Sequence, residues 1–231
     1  MGAEDLRTLS LELLGNLGKH PAVPFFEAEV ANYVSQYLEQ MGLSVQKDIY
    51  GNLVTRRVGE DREVPPIAFV AHMDHPGFEA FHAEGETVLA RALGGVPATC
   101  FSERVPVKIV APDGHLLSAE TSGRYGPESD RTVSLYRKDV RPLDLPCAVV
   151  FDLQEFSFDG EVVHMRALDD LGGCACILAT LTGLVSHRVP GDVYGIFTRA
   201  EEVGLVGARL MAQDRILPTN TFVVSVETSR A

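Results

Sequence analysis

Several stretches of this sequence, far apart along the chain, place histidine or carboxylates where apolar runs stop. Pro66-Ile67-Ala68-Phe69-Val70-Ala71-His72-Met73-Asp74 reads as a buried strand that ends in His-x-Asp. Thr198-Arg199-Ala200-Glu201-Glu202-Val203-Gly204 breaks another strand into two adjacent glutamates ahead of a small-residue helix start. The strand Thr221-Phe222-Val223-Val224-Ser225-Val226 is followed by Glu227, and Leu168-Asp169-Asp170-Leu171-Gly172-Gly173 opens a helix with paired aspartates. In open α/β sheets, ligands bind in the crevice beyond the carboxyl ends of the strands, and neutral imidazole with carboxylates is a donor set that suits zinc. Adjacent glutamates point in different directions, so one can hold a metal while the other takes a proton from water. Asp169 can bridge two ions, and two metals about 3.5 to 4 Å apart share and activate one water. His72, Asp169, Glu201-Glu202 and Glu227 thus read as the ligand set of a zinc pair. Asp74 reads as a hydrogen-bonding support for the His72 ring or for the nearby base, and Asp170 as a helix cap.

The elements that must position these groups follow from hydrophobic period. Helical spacing runs from Glu4 to Leu17 and from Phe25 to Met41, with Val30, Tyr33, Val34 and Leu38 on one face and Gly42 as the stop. Extended segments are expected near Ser44–Tyr50 and Asn52–Val58, with a turn at Gly51, and then the strand into His72. Gly183 and Pro190-Gly191 separate the helix after Asp169 from a strand over Asp192–Thr198. Helix and strand alternate at both ends, which predicts an α/β layer architecture. Between Gly77 and Val163 the pattern changes to short β-rich runs, Thr87–Ala92, Val105–Val110 and Ala148–Asp152, broken by Gly94-Gly95, Asp113-Gly114 and Gly123 to Pro127. That stretch reads as an all-β module inserted into the catalytic layer. The expected domains are 1–76 with 164–231, and 77–163.

His72-Met73-Asp74, Ala167-Leu168-Asp169-Asp170 with Gly172, and Glu201-Glu202-Val203-Gly204-Leu205 with Gly207-Ala208, in this order and spacing, resemble the M42 family of dinuclear zinc aminopeptidases over essentially the whole chain. The resemblance implies a three-layer α/β/α core with an inserted β domain that pairs subunits into homo-oligomers. It implies that His72, Asp169 and Glu227 bind one ion and Asp169 and Glu202 a second. Glu201 would be the general base, Asp74 a supporting carboxylate, and the Asp169–Asp170 peptide cis. Two divalent ions, zinc with cobalt or manganese as substitutes, would serve hydrolysis of the N-terminal residue of a short peptide.

The sequence departs from the family pattern in three places. The family's second metal takes a late histidine, and none of the seven histidines (His20, His72, His75, His82, His115, His164, His187) occupies that place. Apart from His72 they read as surface, turn or insert residues, and the expectation is a fragment or natural truncation. Glu227 stands where the aminopeptidases usually carry Asp, which keeps open a carboxypeptidase or amide deacylase, and the missing histidine keeps open a non-catalytic remnant. His75 replaces an acidic residue that often follows His-x-Asp.

A chain of 231 residues with 45% hydrophobic content can bury a substantial core. A net charge of −12 argues against a nucleic-acid partner, because phosphate backbones select basic faces. No apolar stretch of transmembrane length and no signal pattern are read, so a cytoplasmic setting without membrane attachment is expected. Cys100, Cys147, Cys174 and Cys176 lack disulfide or zinc spacing and read as small buried hydrophobes.

Overall fold

The computed structural model describes residues 2–229; Met1, Arg230 and Ala231 lie outside them. Two helices, α1 (Ala3–Leu17) and α2 (Ala28–Gln40), precede the strands β1 (Val45–Lys47), β2 (Leu53–Arg57) and β3 (Ile67–His72). Six strands follow: β4 (Gly77–Glu84), β5 (Thr87–Leu93), β6 (Pro106–Val110), β7 (Leu116–Arg124), β8 (Thr132–Arg137) and β9 (Cys147–Phe151). A short hairpin of β10 (Ser157–Phe158) and β11 (Val163–His164) leads into α3 (Leu168–Val185). The chain then runs through β12 (Val193–Thr198), α4 (Val206–Gln213) and β13 (Phe222–Ser225).

β1, β2, β12, β3 and β13 form one sheet in that order. β12 and β13 both pair parallel to β3, with Thr198 opposite His72 and Ser225 opposite Val70. Three neighbouring strands therefore end on one edge of the sheet, each delivering its next residues to the same crevice. The two-residue period decides which side chains go to which layer. Phe69, Ala71, Val193 and Phe197 join Leu13, Leu17, Val34, Leu38, Ile177 and Leu178 in the main core, which places α1, α2 and α3 on one face. Ala68, Tyr194 and Ile196 alternate to the other face, where Met211 of α4 meets them. α3 lies close because β12 carries Gly195, where an added Cβ would stand 2.6 Å from Leu181 Cδ1. On the far side of β3, β13 is an edge strand with Phe222, Val223 and Val224 exposed.

The middle strands close into a barrel in the order β4-β5-β8-β7-β6-β9, with β4 paired to β9. Phe78, Val88, Ala90, Val107, Ile109, Val133, Leu135 and Val149 fill it. A second small cluster, Val23, Leu93, Ala148 and Val150, packs the barrel against the segment between α1 and α2. The barrel strands end at Phe151. The hairpin after it turns back toward the helical layer, where Phe156, Val163 and Met165 pack on the main core.

Four expectations need correction. The second helix starts at Ala28 rather than Phe25, because Phe25 adopts a left-handed φ of 74° that no helix continues. α3 runs through Gly183 to Val185, its tertiary packing outweighing the weak helix propensity of one glycine. Those 18 residues are long and apolar enough to cross a membrane, contrary to the sequence expectation, but half of them are buried inside the protein as its central helix. Cys176 is exposed, whereas the other three cysteines are buried, since residues two apart on a helix face different sides.

Candidate metal centre

His72 ends β3 and is 3% exposed. Its Nδ1–H donates to the main-chain oxygen of Asp74 at 2.9 Å, which turns the lone pair of Nε2 outward. Asp169 Oδ1 lies 3.2 Å from Nε2, Glu227 Oε1 3.5 Å and Glu201 Oε2 3.7 Å. One donor atom each from His72, Asp169 and Glu227 fall within 4.8 Å of one another. An ion bound tetrahedrally at 2.0 to 2.2 Å would separate its donors by roughly 3.3 to 3.6 Å, so the two ligand distances from Nε2 fit such an ion.

The electrostatics point the same way. Burial disfavours charge on His72, yet Asp74, Asp170 and Glu201 outweigh it and raise the imidazole to about 10. Burial and contact with the Asp169 carboxyl raise Glu227, and burial, opposed by His72 and assisted by Glu227, raises Asp170 to about 7. Carboxylates held this close favour a positive charge among them, and a divalent ion would compete with the Nε2 proton for the place.

Asp169 and Asp170 have separate roles, joined by a cis peptide. Asp169 points outward with its side chain 55% exposed, whereas the fully buried Asp170 accepts N–H bonds from Gly173 at 3.1 Å and His72 at 3.3 Å. Asp170 thus caps α3 and ties it to the end of β3. Asp74, also fully buried, supports Glu201 and Glu202 rather than the imidazole. Its Oδ1 accepts the Glu201 N–H at 2.9 Å and its Oδ2 the Glu202 N–H at 3.1 Å, while Oδ1 stands 3.7 Å from His72 Nδ1.

Glu201 faces His72, but Glu202 lies outside the three-donor group. Its Oε2 accepts the Gly95 N–H at 3.4 Å, on the turn after β5. Gly94 in that turn has φ 77°, and an added Cβ would meet Glu202 Cβ at 2.9 Å. The barrel therefore supplies one wall of the site. Among the described residues His72, Asp169 and Glu227 form the one group that meets these donor spacings; Asp169 and Glu202 alone would leave a second ion short of ligands.

The turn carrying the glutamates is held in an uncommon shape. Ala200 has φ 51°, a left-handed conformation that costs a residue with a Cβ roughly 1–2 kcal/mol. It is fixed by Glu27, a residue the sequence reading did not single out, whose Oε1 accepts the Ala200 N–H at 3.0 Å. No local pattern could have found it, because its partner lies 173 positions away.

His75 is also not where the sequence suggested, being 1% exposed. Its Nε2 accepts the Ala22 N–H at 3.2 Å and its Nδ1–H donates to Pro76 O at 3.0 Å, a pattern only the neutral ring can make. Burial pushes its pKa down from 6.5 to about 4. The unfolded chain then binds the extra proton first, so this contribution to stability is complete above pH 6.5 and is lost as pH falls toward 4. The expected size is about 3 kcal/mol. Urea melts of the wild type and His75→Gln at pH 7 and pH 4.5 should differ by less at the acid pH; a constant difference would remove His75 as the cause.

Comparison with known proteins agrees with this geometry. The family model for M42 glutamyl aminopeptidase matches residues 138–230. A provisionally named aminopeptidase of Acetivibrio thermocellus is 26% identical over 222 residues, which cover 92% of this chain and 63% of that protein. The chain thus spans less than two thirds of that relative's length. The TET aminopeptidase of the marine sediment archaeon Thaumarchaeota archaeon SCGC AB-539-E09 superimposes with a TM-score of 0.81 at 22% identity, over 96% of this chain and 67% of that one. The Pyrococcus horikoshii TET1 peptidase, which can assemble into a tetrahedron or a large octahedral shell, gives 0.75 at 23% identity, over 94% and 68%. The chain is therefore similar to M42 glutamyl aminopeptidases in sequence over residues 138–230, and to the TET aminopeptidases in fold.

Proposed function

We propose that this chain acts in metal-dependent removal of N-terminal residues from short peptides. The observation that carries the reading is the convergence of His72, Asp169 and Glu227 at ion-binding distances with the Glu201 carboxylate beside them. In this reading His72, Asp169 and Glu227 hold one divalent ion, and Asp169 and Glu202 contribute to a second; zinc, cobalt and manganese all suit such nitrogen and oxygen donors. Bound there, the ions would supply Lewis-acid polarisation and an activated water. Glu201 takes a proton from the attacking water and returns it to the leaving amine. Asp74 keeps Glu201 at working distance by gripping its main chain, and Asp170 keeps the Asp169 turn on the end of β3.

The wider assignments belong to the same proposal: the barrel pairs copies of the chain into a homo-oligomer, and the protein works in the cytoplasm. The assembly of the Pyrococcus horikoshii TET1 peptidase into a tetrahedron or an octahedral shell supports the first of these. Glu227 in place of Asp favours a second reading, a carboxypeptidase or amide deacylase using the same centre.

One experiment separates these readings. The protein is purified without chelator, its metal content measured, and hydrolysis followed on a dipeptide with a free α-amine and on its N-acetylated form. At least one ion per chain, lost in His72→Ala, together with cleavage of the free-amine peptide alone, is the expected result. Cleavage of the acetylated peptide would favour the second reading, and neither metal nor cleavage would leave a non-catalytic remnant.

A further inference from the structure

In the turn between β12 and α4, four consecutive main-chain N–H groups, from Arg199 to Glu202, each donate to a side-chain oxygen. Arg199 N–H donates to Asn52 Oδ1 at 3.1 Å, Ala200 N–H to Glu27 Oε1 at 3.0 Å, and the Glu201 and Glu202 N–H groups to the two oxygens of Asp74. The carbonyls are held as well, Arg199 O by Gly207 N–H and Ala200 O by Val206 N–H at the start of α4. Asp74 follows β3 and Asn52 precedes β2, so both belong to the sheet that carries the site. Glu27 does not. It precedes α2, is 3% exposed, and reaches the turn from the segment that also packs on the barrel.

Glu27 is held for this purpose from both sides. Its Oε1 also accepts the Phe25 N–H at 2.8 Å, fixing the left-handed turn from which the side chain departs. Its Oε2 lies 2.8 Å from Arg199 Nη2. Arg199 in turn donates from Nη1 to Tyr50 O at 2.9 Å, so the guanidinium cannot swing away without losing a second partner. A buried carboxylate with an arginine beside it could serve only to neutralise that arginine. Here, however, the other oxygen is spent on the residue immediately before Glu201, whose buried N–H needs an acceptor at that point.

We infer that Glu27 is a positioning residue: its carboxylate, acting with Asp74, holds Ala200 in the conformation that aims Glu201 at the metal donors. This rests on the reading of Glu201 as general base. Its loss acts on turnover through Glu201 and leaves the three metal donors in place.

The test compares Glu27→Ala, Glu27→Gln and Glu27→Asp in the full chain loaded with zinc, assayed on the free-amine dipeptide. Glutamine keeps an acceptor oxygen at the right reach and gives up the charge; aspartate keeps the charge and falls short by one methylene. Positioning predicts a kcat reduced at least tenfold in Glu27→Ala, with KM and bound zinc within twofold of wild type, and a higher kcat in Glu27→Gln than in Glu27→Asp. The reverse order would make Glu27 merely the counter-charge of Arg199 and would overturn the inference, as would an unchanged kcat in Glu27→Ala. If Glu27→Ala does not fold, the order of the other two decides. Should wild type cleave no peptide, the function reading fails on its own, and amide hydrogen exchange at Ala200 to Glu202 still reads the turn. Exchange at least tenfold faster in Glu27→Asp than in Glu27→Gln supports the clamp, and equal rates refute it.

Discussion

Glu201→Gln is expected to lower kcat on a free-amine peptide by about 10²- to 10⁴-fold, the range that positioned general bases contribute. Glutamine preserves the length of the side chain and its place beside His72, 3.7 Å from Nε2 in the wild type, but cannot accept the proton. The three donors His72, Asp169 and Glu227 are untouched, so metal content should match wild type. This combination distinguishes a base from a ligand. Were turnover and metal to fall together, Glu201 would be holding the ion; were neither to fall, it would have no part in the reaction.

Asp74→Asn should act on the same base from one step further away, and also on folding. In the wild type both oxygens of a fully buried carboxylate accept main-chain N–H groups. Asparagine offers one oxygen and sets an NH₂ group against the other N–H, leaving a buried donor without an acceptor at a cost of about 1–3 kcal/mol. For a domain of this size each kcal/mol lowers Tm by roughly 2–4 °C. Turnover should drop by about 100-fold, because a displacement near 1 Å at a catalytic group has that effect. Bound metal should change much less, since His72 is oriented by the main-chain oxygen of Asp74 and not by its carboxylate. A loss of activity that tracked metal content across a zinc titration would instead assign Asp74 to the ligand set.

These two variants and the Glu27 series address one structure, the turn after β12, at three distances from the reacting atoms. Glu201 is the proposed base, Asp74 holds the Glu201 main chain, and Glu27 holds the residue before it. The expected losses decline in that order.

Much of the site was legible in the sequence because its residues lie where local patterns change. An apolar run that stops at His72, another that stops before Glu201, and a third that stops before Glu227 announce strand ends, and a parallel sheet brings strand ends to one edge. The capping role of Asp170 was readable for a similar reason, since Gly173 is only three residues away. The α/β layers followed from the change of period between helix and strand.

What the sequence could not determine depended on contacts between distant segments. By residue type and position Glu201 and Glu202 cannot be told apart, and only the family resemblance separated them; one faces His72 and the other the Gly94-Gly95 turn because the barrel packs where it does. Barrel closure through β4 and β9 joins segments about 70 positions apart, and no local period encodes which strands meet. His75 looked like a turn residue and is buried because the Ala22 main chain supplies its hydrogen-bond partner. Glu27 was not singled out in the sequence, and its partner is reached only after the whole barrel has been inserted between them. Sequence alone therefore determined which residues could do the chemistry, since type and strand position are local properties. The tertiary structure decided which of them face one another, because burial and hydrogen-bond partnership are set by packing across the fold.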